Sequence, residues 1–191
     1  MLAWYLRMLE RHPLVTQAIA TGFLAGTGDV LAQQVIERRG RQHDVVRTAR
    51  FFTFGVTFIG PALRGWYVTL DKLVKLQNPA LAAGAKMALD QFAFTPVFLG
   101  GFFTGLGLLE GKSMARIKRQ LDNEYFNVLL NNWKVWPAVQ ICNFYLVPLQ
   151  HRVIVVNTVS VAWNTYLTWT FHKAGAEGSS SPTDATESSA A

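Results

Sequence analysis

The stretch "NNWKVWPAVQICNFYLVPLQHR", residues 131–152, decides how the chain is read. It is apolar enough to enter a membrane. It also holds Pro137 and Pro148, the rings of Trp133, Trp136 and Tyr145, and the amides Gln140 and Asn143. A proline inside a helix removes a backbone donor and frees the carbonyl four residues back, here those of Trp133 and Phe144. In hydrocarbon a freed carbonyl needs a partner from protein or water. Trp136, Gln140 and Asn143 follow spacings of four and three, so they share one side of a helix. That side is costly to turn toward lipid. The segment is therefore expected to be a bent helix whose polar side faces other helices or a wet cavity.

Outward from it, the same mixture recurs. Apolar segments cover about 14–36, 48–70, 84–109 and 132–150, and a fifth covers 153–171. Each comes close to the roughly 20 residues that a helical span needs. Only 16% of the 191 residues are charged, against a usual share of about 25%. The mean hydropathy is only +0.18, so polar residues are mixed into the apolar ones. The net charge is +6. Its basic clusters, Arg38–Arg50 and Lys112–Arg119, fall between apolar segments, as in loops flanking membrane spans; direct nucleic-acid binding is not expected. Those loops should face the more negative side, with both termini opposite.

The fifth segment follows Pro148 with almost no loop. It is either the second arm of a tight membrane hairpin or the continuation of a long bent helix. Asn157, Ser160, Asn164 and Thr168 form a polar stripe at helical spacing, which suits an interfacial helix or one packed on the bundle. The expected architecture is all-α and polytopic: a four-helix transmembrane bundle kinked at Pro61, Pro96, Pro137 and Pro148, plus an amphipathic C-terminal helix. Residues 1–173 form one domain, and the Ser/Thr/Ala-rich stretch 174–191 reads as a disordered polar tail.

Within the spans, the polar groups are the candidates for function. Asp29 and Gln33 are four apart and share a face. Lys86 and Asp90 are also four apart, so Asp90, next to Gln91, is open to two readings: an ion pair with Lys86 or Arg64, or a charged lining. Only thirteen uncharged residues separate Arg50 from Arg64, so Arg64 either snorkels to an interface or faces the bundle interior. Trp66 and Tyr67 beside it suit interface anchors. Arg152 closes the opening stretch. Gly22/Gly26 and Gly101/Gly105 are GxxxG pairs that allow close helix approach, inside the monomer or between copies.

Enzymatic chemistry finds no footing. There is no HExxH, Walker A, GxSxG or CxxC pattern, and the four histidines are scattered at segment edges. No catalytic residue, metal site or cofactor is expected. The single Cys142 rules out an internal disulfide. The N-terminus "MLAWYLRMLERHPL" lacks a cleavage site and a Ser-rich transit character, so targeting would be internal.

The motifs "GTGDVLAQQ", "GPALRGWYVTLDK", "KMALDQFAFTP" and above all W-x-x-W-P-x-x-Q-x-x-N-F-x-x-V-P, within 133–148, resemble the Mpv17 family of small mitochondrial and peroxisomal membrane proteins, which includes the twenty-two-kilodalton peroxisomal membrane protein. The resemblance covers about 4–172 and looks closest to the mitochondrial inner-membrane branch. It implies four transmembrane helices and a channel-like passage for small solutes. It also implies a link to mitochondrial DNA maintenance, nucleotide supply, redox balance and stress tolerance. It supplies no catalytic residues.

Two functions follow as expectations. The first is a pore lined by Asp29, Gln33, Asp90, Gln91, Trp136, Gln140 and Asn143, with Arg64 and Arg152 near its mouths. The second is a non-conducting structural or assembly subunit of an inner-membrane complex, in which the same amides are hydrogen-bond glue. The partners are then the lipid bilayer, small solutes or metabolites, and a possible homo-oligomer or inner-membrane complex.

Overall fold

The computed structural model describes residues 2–178, and every regular element among them is a helix. A short helix α1 (Leu2–Arg11) leads into α2 (Pro13–Leu31), which opens on a proline and ends in a widened π turn, Ala32–Ile36. Proline suits a first helical turn because its missing N–H has no partner there in any case. Arg38 and Gly40 take positive φ in the loop that follows. Asp44 caps α3 (Val45–Phe54) by accepting from the Arg47 backbone N–H at 2.9 Å, which holds its carboxyl below the usual range. A π turn, Gly55–Ile59, joins α3 to α4 (Gly60–Leu73). Asn78 caps α5 (Pro79–Leu89), which passes through the π turn Asp90–Phe94 into α6 (Thr95–Leu109). Helix α7 (Met114–Leu146) and helix α8 (Leu149–Gly178) complete the described chain.

The prolines act in three different ways. Pro61 and Pro96 each follow directly on a π turn, whose last bonds run from Gly60 N–H to Gly55 O and from Thr95 N–H to Asp90 O. The wider turn absorbs the lost donor and the crowding of the proline ring without ending the helix. Pro137 lies inside α7, which continues on both sides of it. Pro148 does not kink a helix, as had been expected; it separates two. Val147 is extended, as a residue before proline prefers, α7 stops at Leu146, and α8 begins at Leu149. The polar residues 114–125 are the first turns of α7, started by the Ser113 cap. Helix α8 runs to Gly178, five residues into the stretch read as tail; 179–191 lie outside the described residues.

Small residues set the closest contacts. A Cβ on Gly22 would stand 2.5 Å from Val56 Cγ2 and 2.8 Å from the Phe52 carbonyl oxygen. One on Gly55 would meet Gly22 Cα at 2.7 Å, and one on Gly60 would meet Ala18 Cα at 2.6 Å. Helices α2 and α3–α4 therefore run antiparallel with backbones nearly touching. Gly26 faces Phe52 and Thr48 at ordinary contact distance, whereas Gly101 and Gly105 make room for the rings of Phe58 and Phe54. All four glycines singled out for close packing thus meet neighbours of the same chain.

Helix α8 lies parallel to α2: Gln17 Nε2 donates to the Gln150 carbonyl at 2.9 Å, and Asn157 Nδ2 donates to Thr21 Oγ1 at 2.6 Å. Arg152, Val153, Val156 and Asn157 are buried, so α8 is packed on the bundle. Asn157 and Ser160 of its polar stripe turn inward; the side chains of Asn164 and Thr168 lie outside what is described. Much of the outer face is apolar, with Phe23, Val35, Phe92, Val97, Phe126 and Leu146 among its exposed side chains. Among the described residues, two helical runs are both long and apolar enough to cross a membrane, Pro13–Ile36 and Pro79–Leu109. At about 1.5 Å per residue they exceed the roughly 30 Å of a hydrocarbon core.

Candidate functional site

Helices α2, α4, α6, α7 and α8, with the two π turns before Pro61 and Pro96, line a partly open cavity of about 90 Å³. Its polar wall holds Thr21, Tyr67, Asp90, Gln91, Asn132, Gln140, Asn157 and Ser160; Phe94, Phe98, Phe102, Trp136 and Trp163 supply aromatic surface.

Asp90 is the centre of the polar wall and is 2% exposed. Its Oδ1 accepts from Trp66 Nε1 at 2.8 Å; its Oδ2 accepts from Gln140 Nε2 and Gln91 Nε2, both at 2.8 Å. All three donors are neutral. Among the described residues, no cation lies within ion-pair distance of this carboxylate. Of the two readings, the ion pair with Lys86 or Arg64 is therefore corrected. Lys86 ion-pairs instead with Asp71 across the α4–α5 turn, and the oxygens of Asp90 are taken by the indole and the two amides. Trp66 and Tyr67 are likewise not interface anchors. The Trp66 ring stacks on Phe94 at 4.8 Å and its N–H is spent on Asp90, while Tyr67 is fully buried against Phe144.

A second tier holds the first in place. Gln140 Nε2 also reaches Tyr67 Oη at 3.0 Å, and Gln140 Oε1 accepts from Asn143 Nδ2 at 3.0 Å. Gln91 Oε1 accepts from Asn132 Nδ2 at 3.1 Å, and the Gln91 carbonyl accepts from Trp133 Nε1 at 3.0 Å. Asn143 thus supports Gln140 but does not line the cavity. Trp136 does line it, is 7% exposed, and its buried Nε1–H has no acceptor.

Asp29 and Gln33 belong elsewhere. They do share a face, with Gln33 Nε2 donating to Asp29 Oδ2 at 2.8 Å, but neither reaches the cavity. Arg47 ion-pairs with Asp29 at 2.7 Å and with Glu37 at 2.8 Å, and Thr48 Oγ1 donates to Asp29 Oδ2 at 2.6 Å. That group clasps the end of α2 to the start of α3. His43 completes it. Thr48 spends its only proton on Asp29, so His43 Nε2–H donates to Thr48 at 3.0 Å, and Nδ1 accepts from Gln34 Nε2 at 3.1 Å.

Arg152 is buried at the opposite end of the bundle, 2.7 Å from Asp71 and 3.0 Å from the Val147 carbonyl, with its guanidinium 5.5 Å from the Phe144 ring. It ties the α7–α8 break to α4. Arg64 is half-buried, and its Nη1 has no partner. The single path expected through Asp29, Gln33, Asp90, Gln91, Gln140 and Asn143, with Arg64 and Arg152 at its mouths, is thus resolved into one cavity, one clasp and one ion triad. Sequence reasoning missed Asp71, the shared partner of Lys86 and Arg152. It sat in plain view in "GWYVTLDK", between Leu70 and Lys72, where it read as a span end. It also missed Asn132 and Thr21.

The sequence profile of the Mpv17 / PMP22 family matches residues 107–168. Over 170 residues, 88% of this chain and 96% of the relative, the chain is 44% identical to "Mitochondrial inner membrane protein Mpv17" of Danio rerio. It is 43% identical to "Mitochondrial inner membrane protein Mpv17" of Homo sapiens over the same shares. It is 43% identical over 168 residues to "Protein SYM1" of Gibberella zeae, covering 87% of this chain and 94% of the relative. No solved structure matches.

Proposed function

The chain belongs to the Mpv17 / PMP22 family and is a protein of the mitochondrial inner membrane, and from that premise we propose that it passes small solutes across that membrane through the cavity centred on Asp90 and Gln140. The observation that carries this reading is a partly polar cavity inside a bundle with an apolar exterior. Polar groups at membrane depth are costly and tend to mark a solute path. In the proposed arrangement four spans surround the path, α8 closes its side, and bending at the π turns before Pro61 and Pro96 opens it. The protein would support nucleotide supply, mitochondrial DNA maintenance and redox and stress homeostasis as a non-enzymatic membrane component.

The test is single-channel conductance of the purified protein in a planar bilayer. Wild type conducts, and Asp90→Asn and Gln140→Leu alter its conductance or ion preference. Silence of folded wild type under varied voltage, pH and redox conditions would sink the pore.

One observation favours a second reading. Asp90, Gln91, Asn132, Gln140 and Asn143 hydrogen-bond one another, as they would if they were glue in a non-conducting subunit of an inner-membrane assembly. Crosslinking to partner chains then succeeds while bilayers stay silent.

A further inference from the structure

We infer that the cavity is a binding site for a small organic monocation, an ammonium group of roughly the size of choline, with Asp90 as its counter-charge and the Trp136 indole as donor to an acceptor atom on the same molecule. This names the solute class of the proposed passage and rests on that reading for its role, though not for its binding.

Three independent features converge. The first is charge. A buried carboxylate held only by neutral donors lacks a counter-ion, whereas Asp29, the other fully buried acid among the described residues, has Arg47, and the half-buried Asp71 has Lys86 and Arg152. Asp90, on the cavity wall, goes without. The second is the wall opposite. Phe94, Phe98, Phe102, Trp136 and Trp163 present aromatic surface to the same space. Aromatic faces attract a desolvated ammonium group and offer nothing comparable to an anion; Phe94 and Phe98 stack on each other and on Trp66 and Phe58, which leaves Phe102, Trp136 and Trp163 to offer theirs. The third is the orphaned Trp136 N–H, buried beside the cavity with no acceptor. Buried donors are ordinarily satisfied, so an unsatisfied one on a residue of the cavity wall calls for an acceptor.

Size narrows the class further. At about 10–15 Å³ per water, a cavity of about 90 Å³ holds roughly six to nine waters, or one molecule of a comparable number of heavy atoms. A nucleotide is several times larger, and its phosphates would meet the Asp90 carboxylate. A bare metal ion would leave the aromatic wall and the indole N–H unused.

The experiment uses the full chain in lipid nanodiscs, with choline, its uncharged carbon isostere neohexanol, and tetramethylammonium as probes, read by calorimetric titration. Choline binds at least about tenfold more tightly than neohexanol. Asp90→Asn abolishes that preference. Trp136→Phe keeps an aromatic ring but loses the donor; it weakens choline several-fold and weakens tetramethylammonium, which has no hydroxyl, distinctly less. Equal binding of choline and neohexanol to wild type overturns the inference, as does an unchanged preference in Asp90→Asn. Should Asp90→Asn fail to fold, Trp136→Phe decides by the choline-to-tetramethylammonium ratio. Binding is measured without a gradient, so a silent bilayer would overturn the pore and leave this site standing. Conduction without choline binding would do the reverse.

Discussion

Asp29 and Asp90 are the same residue type in comparable positions, each buried and each followed by an amide on its own helix, yet the fold treats them oppositely. Asp29 is neutralised by Arg47 and drawn into a closed clasp with Gln33, Thr48 and His43. Asp90 is given three neutral donors, no cation and a cavity. A buried ion pair is a structural device whose value shows when one member is removed. A buried carboxylate left without a counter-ion is poised to take one from outside. The comparison separates what holds this bundle together from what it can act on.

The largest effect should come from breaking the clasp. Arg47→Met leaves Asp29 charged and buried without its cation, and should cost about 3–5 kcal/mol. Thermal unfolding in detergent measures it, and the double variant with Asp29→Asn should recover part of the loss. Next, Gln140→Leu removes a donor to Asp90 and to Tyr67 and orphans Asn143 Nδ2, for about 1–3 kcal/mol. Gly22→Ala drives a methyl against Val56 and the Phe52 carbonyl and should cost about 1–3 kcal/mol. Asp90→Asn should cost less than Arg47→Met. It removes a charge that no cation balances but turns an amide N–H onto either the Trp66 indole or the two glutamine amides, so it should cost about 1–3 kcal/mol. Gly100→Ala, where a Cβ meets open space, should be neutral or slightly stabilising by the same assay. If Asp90→Asn proves as destabilising as Arg47→Met, the contrast between the two acids collapses.

Much of this was legible in the sequence where the relation is local. Spacings of three and four put Trp136, Gln140 and Asn143 on one inward side and paired Gln33 with Asp29. The apolar segments and the GxxxG pairs located the helices and their close faces. What was not legible depends on helices meeting across the fold. Lys86 and Asp90 share a helical face, yet Lys86 finds Asp71 fifteen residues away, across the turn between α4 and α5. Trp66 beside Arg64 looked like a membrane anchor because its acceptor lies on another helix. No spacing rule separates the Asp29 group from the Asp90 group either. That division follows from α2 running past the cavity at Thr21–Ala25 before its end reaches the clasp. The role of Pro148 turned on Val147, whose extended backbone lets α8 leave α7 and lie along α2.

The most direct test of the central claim, that the space at Asp90 is a solute site and not a sealed core, is the reactivity of Ser160→Cys. It would be made in a Cys142→Ser background, in membranes, toward a soluble charged thiol reagent. Ser160 lines the cavity but takes no part in the bonds around Asp90. The account predicts modification that choline slows and neohexanol does not. A cysteine there that stays unmodified in the folded protein would contradict it, and would leave the Asp90 network as a structural joint like the one around Asp29.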